Sequence, residues 1–86
     1  MSDYTLFLSK KAKKQLENLP EKIVPTIILA IGALQSDPRP DGCKKLKGRK
    51  SGYRIRIGNY RVLYDIFDRE LVIEVITLGH RKDVYE

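Results

Sequence analysis

The chain has 86 residues, of which 42% are apolar and 33% charged, and its formal net charge is +6. This size predicts one domain over residues 1–86 with a single hydrophobic core. The longest aliphatic run, residues 27–31, is too short to span a bilayer, and Cys43 has no second cysteine for an intrachain disulfide. Because the first residues also lack the pattern of a secretory signal, we expect a cytoplasmic protein that does not bind a membrane.

The positive charge is concentrated in the middle of the chain. Between Gly42 and Tyr64 there are eight basic residues and no acidic residue, whereas the remainder has nine basic and eleven acidic residues. Such a block favours a polyanionic partner, because each phosphate that Lys or Arg neutralises releases condensed counterions. The candidate RNA-binding residues of this block are Lys44, Lys45, Lys47, Arg49 and Lys50. A solvated loop kept soluble by its lysines explains the same pattern equally well.

The first half of the chain predicts one strand and two helices. Residues 4–8 (YTLFL) are typical of a strand, and Ser9 is a typical N-cap for the amphipathic helix that ends before Pro20. A second helix is predicted over residues 21–35, with Pro25 tolerated near its first turn. Because a short link joins the helices, we expect an antiparallel helical hairpin.

The breaker cluster SDPRPDG, residues 36–42, separates the helices from three further strands. Apolar and polar residues alternate over residues 53–57 and again over residues 60–66, and Gly58-Asn59 between them suits a two-residue turn. LVIEVIT, residues 71–77, is the most strand-like segment. The order β-α-α-β-β-β predicts an α+β fold with a two-helix hairpin packed on a mainly antiparallel four-stranded sheet.

The predicted hairpin, YRIRIGNYRVLY, places its arginines on one face. With a two-residue turn, Arg56 pairs with Arg61 and Arg54 lies on the same side, while the tyrosines and aliphatic residues form the side suited to a core. Two cations about 5 Å apart repel by about 3 kcal/mol at an effective dielectric constant near 20, so stability alone does not favour this arrangement. Phosphate binding does favour it, because guanidinium groups match phosphate oxygens. An exposed arginine face without a special purpose is the alternative.

The C-terminal residues supply further candidates. A chain that leaves the sheet edge can bring Arg81 and Tyr85 back over the arginines, where nearby cations would favour the anionic form of the tyrosine. His80 has a pKa suited to proton transfer, although a lone histidine in a loop is more often a surface residue; it and Lys82 are candidate RNA contacts. The sequence contains no metal-ligand cluster, P-loop or GxGxxG motif, so we expect no metal or other cofactor.

The order of elements, the strand GNYRVLY and above all the ending VITLGHRKDVY resemble the RelE branch of the RelE/ParE superfamily of bacterial and archaeal toxins. The resemblance covers nearly the whole chain, although the helices match only in pattern. Members of this branch are messenger-RNA endonucleases that act in the ribosomal A site and are held inactive by an antitoxin. The resemblance therefore implies two partners, namely a RelB-like antitoxin in a hetero-oligomer and a ribosome with mRNA in its A site.

The resemblance also implies roles for individual residues. Arg54 and Arg56 fall on the basic positions that contact substrate phosphate, and Arg61 falls on the holder of the scissile phosphate. The arginine and tyrosine that follow the last strand correspond to Arg81 and Tyr85. The implied reaction is metal-free attack of the RNA 2′-hydroxyl on the adjacent phosphate, with the tyrosine as general base and the arginines stabilising the transition state.

His80 falls where some relatives carry a catalytic histidine, and it is the reserve acid. Two other functions remain open. One is a ParE-like toxin that binds gyrase, a branch that generally lacks these arginines. The other is an RNA- or ribosome-binding module without catalytic activity, which the basic block alone would permit. Strand cleavage distinguishes the endoribonuclease from both.

Overall fold

A computed structural model of the chain describes residues 3–84. Two helices pack against a five-stranded sheet with the strand order β1-β5-β4-β3-β2. The elements in chain order are β1 (Thr5–Leu8), α1 (Lys10–Glu17), α2 (Val24–Ala33), β2 (Lys44–Lys45), β3 (Gly52–Ile57), β4 (Tyr60–Phe67) and β5 (Val72–His80). β1 runs parallel to β5, and all other neighbouring strands are antiparallel. The predicted α+β fold is confirmed, but the predicted number of four strands is wrong, because β2 adds a fifth.

The helices follow the predicted signals with shorter bounds. The hydroxyl of Ser9 accepts a hydrogen bond from the amide of Ala12 at 3.0 Å and donates one to the carbonyl of Ile76 at 2.7 Å, so it caps α1 and ties the helix to β5. α2 is shorter at both ends than predicted, and Pro25 lies in its first turn. Within residues 3–84, neither helix has the length and hydropathy needed to cross a membrane.

The β3–β4 hairpin has the predicted register. Arg56 pairs with Arg61, and Arg54 pairs with Leu63. Gly58 has a φ of 59°, a left-handed conformation that favours glycine at the first position of such a turn. Alternate residues of β3, β4 and β5 face the helices and build the core with them; its fully buried members include Ala12, Ile27, Leu34, Val62, Tyr64, Ile73, Val75 and Leu78. The arginine-bearing side is therefore the sheet face opposite the helices.

β5 continues further than predicted. The sequence suggested that the last strand ends at Thr77, but the ladder with β4 extends to His80, which pairs with Tyr60. The register shifts where Leu63 pairs with Thr77 and the next residue of β4 pairs with Val75, so β5 contains a bulge there. As a result His80, predicted to lie in a loop, is the last residue of a strand.

Candidate active site

Three arginines line one small cavity beside the hairpin turn. Arg56 and Arg61 reach it from paired positions of β3 and β4, and Arg81 reaches it from the segment that follows β5. The cavity has a volume of about 100 Å³, well below the roughly 300–1,000 Å³ of sites for whole small molecules. Its size and positive lining therefore suit a single anionic group such as a phosphate.

The C-terminal segment is folded back onto the arginine-bearing face. The amide of Arg81 donates a hydrogen bond to the carbonyl of Asn59 at 2.7 Å, and the amide of Asp83 donates one to the carbonyl of His80 at 2.8 Å. Val84, only 2% exposed, packs against Gly79, where an added Cβ would lie 3.2 Å from the valine Cγ2. The structure thus brings Arg81 to the hairpin arginines, as expected. Tyr85, the predicted general base, lies outside the described residues.

The three hairpin arginines differ in accessibility. Arg56 is exposed, Arg61 is half-buried, and Arg54 is only 4% exposed. The Nη1 group of Arg61 donates to the carbonyl of Val84 at 3.3 Å, which orients its guanidinium along the cavity. Arg54 pairs across strands with Lys44 and does not line the cavity.

The basic loop, residues 44–50, contains five predicted RNA-binding cations. Two of them, Lys45 and Arg49, make contacts within the protein that stabilise the loop. Arg49 forms an ion pair with Asp65 at 2.6 Å, and this carboxylate, 5% exposed, also accepts a hydrogen bond from Ser51 at 3.1 Å. The ammonium group of Lys45 donates to the carbonyls of Arg49 and Lys50 and lies 5.1 Å from the centre of the Tyr53 ring. The remaining three, Lys44, Lys47 and Lys50, have exposed side chains.

His80 and the arginine cavity lie on opposite faces of the sheet. Paired residues share a face, so His80 lies with Tyr60, while Gly79 lies with Arg61. The rings of His80 and Tyr60 meet edge to face with 5.5 Å between their centroids. The structure therefore does not bring His80 together with the arginines. Lys82 follows in the exposed turn, and its amide donates to Nδ1 of the histidine at 3.2 Å.

Three residues of the cavity were missed by sequence reasoning. Gly58 and Asn59 were interpreted as turn residues and Tyr60 as a core residue, yet all three line the cavity, and the carbonyl of Asn59 also fixes Arg81. Their position directly between two paired arginines was the available signal.

The titratable groups with displaced pKa values belong to other parts of the fold. At the far end of the sheet, hydrogen bonds from Arg39 (2.9 Å) and Tyr4 (2.6 Å) hold the pKa of Asp68 below its ordinary value. Burial raises the pKa of the Tyr64 phenol in the core. Among residues 3–84, no three His, Cys, Asp or Glu side chains are grouped closely enough to hold a metal ion.

Comparison with known proteins places this arrangement in a family. The model of the ParE toxin of type II toxin–antitoxin systems (ParDE) matches residues 6–85. Toxin RelG of Mycobacterium tuberculosis is 32% identical over 84 residues, which cover 95% of both chains. The chain belongs to the RelE/ParE superfamily of toxins. The resemblance carried by GNYRVLY and GHRKDVY is thereby confirmed.

Solved structures of the superfamily share the fold. The RelBE2 toxin–antitoxin complex of M. tuberculosis matches with a TM-score of 0.80 and 30% identity, covering 96% of this chain and 97% of that chain. The archaeal RelE–RelB complex of Pyrococcus horikoshii OT3 matches with a TM-score of 0.82 and 28% identity, covering 95% and 99%. The isolated RelE toxin of E. coli matches with a TM-score of 0.79 and 25% identity, covering 90% and 83%. The helices that matched RelE only in pattern therefore belong to the shared fold.

Proposed function

We propose that this toxin is a ribosome-dependent endoribonuclease that cleaves mRNA in the A site and so stops translation in the cytoplasm. The observation that carries the proposal is the convergence of Arg56, Arg61 and Arg81 on one cavity of phosphate size. The relatives named RelE and RelG support the same branch of the superfamily.

The proposed chemistry is an attack of the RNA 2′-hydroxyl on the adjacent phosphorus. The bond to the 5′-oxygen breaks, which leaves a 2′,3′-cyclic phosphate and a 5′-hydroxyl. Negative charge grows on the phosphoryl oxygens in the transition state, and Arg56 and Arg61, held on neighbouring strands, face that charge with Arg81. Removal of one preorganised donor of this kind typically costs about 3 kcal/mol of transition-state stabilisation. Arg54 adds to the positive potential without contacting the phosphate.

Removal of the proton from the 2′-hydroxyl is assigned to the C-terminal segment. Tyr85, the residue after Val84, is the proposed general base, because cations near a phenol favour its phenolate form. Arg81 stabilises charge, because a guanidinium with a pKa above about 12 is a poor proton donor at neutral pH. His80, the reserve acid, faces the other side of the sheet, so solvent water supplies the proton that the leaving 5′-oxygen takes up. In this scheme arginines supply the positive charge, so the proposed reaction needs no metal ion.

Outside the cavity, exposed lysines contact RNA phosphates by charge alone. This group consists of Lys44, Lys47, Lys50 and Lys82. Lys45 and Arg49 support it by fixing the basic loop. Such contacts position the strand and carry little sequence information.

We also propose a RelB-like antitoxin as the partner of the toxin in a hetero-oligomer. The M. tuberculosis and P. horikoshii relatives were solved as toxin–antitoxin complexes. An antitoxin bound over the arginine cavity would block RNA and so keep the toxin inactive.

A ParE-like toxin that binds gyrase is the second candidate, favoured by the match of residues 6–85 to the ParE toxin model. Programmed ribosomes and a gyrase supercoiling assay, run in parallel with the same protein, separate the two. We expect new transcript ends in the A-site codon and unchanged supercoiling. Poisoned gyrase, or translation that stalls on intact transcripts, would contradict the endoribonuclease. Unchanged cleavage by both R61A and R81A would reject the assigned site.

A further inference from the structure

A second cavity, of about 520 Å³, lies between α1 and the end of β5; we call it the α1 cavity. Sites that enclose a whole small molecule have volumes of roughly 300–1,000 Å³, and the α1 cavity falls within this range. The arginine cavity is too small to enclose such a molecule. Gln15 holds the two walls of the α1 cavity together, because its side-chain amide donates to the hydroxyl of Thr77 at 2.9 Å and its oxygen accepts from the amide of Leu78 at 2.9 Å. Gln15 therefore fixes α1 against β5 on one side of the α1 cavity.

The lining of the α1 cavity combines two lysines and two aromatic rings with one carboxylate, that of Asp83. Lys11 and Lys14 lie three residues apart on α1, so their ammonium groups share one side of the helix. Tyr60 and His80 form the opposing wall, with 5.5 Å between their ring centroids. Ammonium groups bind phosphate, and ring faces stack with nucleobases. Together these are the two kinds of contact that a nucleotide makes with protein.

The histidine also offers a directed hydrogen-bond donor. Its Nδ1 accepts a hydrogen bond from the amide of Lys82 at 3.2 Å. In the neutral ring the remaining hydrogen is then on Nε2, which can donate to a ligand acceptor.

The α1 cavity adjoins the arginine cavity around one end of the sheet. Tyr60 lines both cavities. Its successor Arg61 faces the arginine side, and its cross-strand partner His80 faces α1. An RNA strand whose phosphate lies in the arginine cavity can therefore pass the edge of Tyr60. Its next nucleotide then lies against His80.

We propose that the α1 cavity is a second nucleotide-binding subsite for the RNA strand whose phosphate occupies the arginine cavity. This inference rests on the proposed function, because it takes single-stranded RNA as the ligand. The base lies against Tyr60 and His80, and a flanking phosphate contacts Lys11 and Lys14.

The test is an NMR titration of the full chain with a short single-stranded RNA whose 2′-hydroxyls are methylated, which removes the nucleophile and prevents cleavage. His80 is the only histidine in the chain, so its ring signals report on the α1 cavity directly. K14E and K13E form a matched pair, because both reverse an exposed charge of α1 and only Lys14 lines the cavity. We expect the His80 ring signals to shift with RNA, and K14E to weaken binding at least about tenfold more than K13E.

Equal weakening by K13E and K14E, or RNA binding that leaves the His80 ring signals unchanged, would overturn the subsite. A nucleoside monophosphate that binds as tightly as the RNA would also overturn it, because the occupant would then be a free nucleotide. If the subsite fails while wild-type protein still cuts mRNA on ribosomes, the proposed function stands. If His80 responds to RNA while ribosomal transcripts stay intact, the proposed function fails and the subsite stands.

Discussion

The Nη1 group of Arg61 donates a hydrogen bond to the main-chain carbonyl oxygen of Val84, with 3.3 Å between the two atoms. Arg61 belongs to β4 and Val84 to the C-terminal segment, so this bond joins the sheet to the returning chain. At the other end of that segment, the carbonyl of Asn59 holds the amide of Arg81. The carbonyl groups of Val84 and Asn59 therefore orient two arginines of the cavity, Arg61 and Arg81.

Replacement of Arg61 by alanine should lower the single-turnover rate of mRNA cleavage by about 100-fold, because it removes one preorganised donor worth about 3 kcal/mol. The matched control is R69A, an exposed arginine in the turn at the opposite end of β4, which should cleave at the wild-type rate. Primer extension on programmed ribosomes measures both. A similar loss in R69A would mean that net charge, and not the arginine cavity, determines the rate.

Replacement of Gly79 by alanine should displace Val84, because the added Cβ would lie 3.2 Å from its Cγ2. We expect the substitution to lower the free energy of unfolding by about 1–3 kcal/mol. Misplacement of Arg61 should also slow cleavage per folded molecule by about 10- to 100-fold. G32A is the control, since nothing lies within 4 Å of its added Cβ in α2. Urea denaturation and cleavage assays that show the same behaviour for both variants would refute this role of Gly79.

Replacement of Arg49 by alanine should destabilise the fold, because the 5%-exposed carboxylate of Asp65 loses its ion pair and, among residues 3–84, keeps the side-chain hydrogen bond from Ser51. We expect the free energy of unfolding to fall by about 1–3 kcal/mol. K47A, an exposed cation of the same loop, should change it by no more than about 0.5 kcal/mol. Equal unfolding midpoints in urea for the two variants would show that the ion pair does not hold the loop.

The cluster of Asp68, Arg39 and Tyr4 predicts a pH dependence of stability. Hydrogen bonds from Arg39 and Tyr4 lower the pKa of the Asp68 carboxyl below its ordinary value of 3.8. A lowered folded-state pKa gives a contribution that is present above the unfolded-state pKa and is lost as the pH falls through the folded-state pKa. The melting temperature of D68N should therefore lie below that of wild type at neutral pH, and the gap should close below about pH 4.

D41N, which changes an exposed aspartate of the loop after α2, is the control and should melt like wild type across the same pH range. A gap between wild type and D68N that persists unchanged in acid would mean that the ionised carboxylate does not stabilise the cluster.

The hairpin was predictable because local rules determine it. A two-residue turn at Gly58-Asn59 fixes the parity of both strands, so the pairing of Arg56 with Arg61 followed from the sequence alone. The fifth strand was not predictable, since Lys44–Lys45 carries no apolar pattern and is strand only through its pairing with β3. The length of β5 was missed because a glycine near a strand end usually signals a loop, whereas Gly79 is needed for the close approach of Val84.

For the candidate site, the sequence predicted which hairpin residues share a face of the sheet, but it did not predict which of them are accessible. Which arginines are accessible depends on what covers the sheet, and the burial of Arg54 is a tertiary property without a sequence signal. The face of His80 depends on the extension of β5 by tertiary pairing. The return of Arg81 was expected from its place after the last strand, but the bond to Asn59 that fixes it joins residues far apart in sequence.

The most direct test of the endoribonuclease is single-turnover cleavage of a defined mRNA on ribosomes with an empty A site, followed by mapping of both new ends. We predict a cut within the A-site codon, a 2′,3′-cyclic phosphate on the upstream fragment, a 5′-hydroxyl on the downstream fragment, and cleavage about 100-fold slower with R61A. A transcript that stays intact while the toxin stops translation would contradict the account.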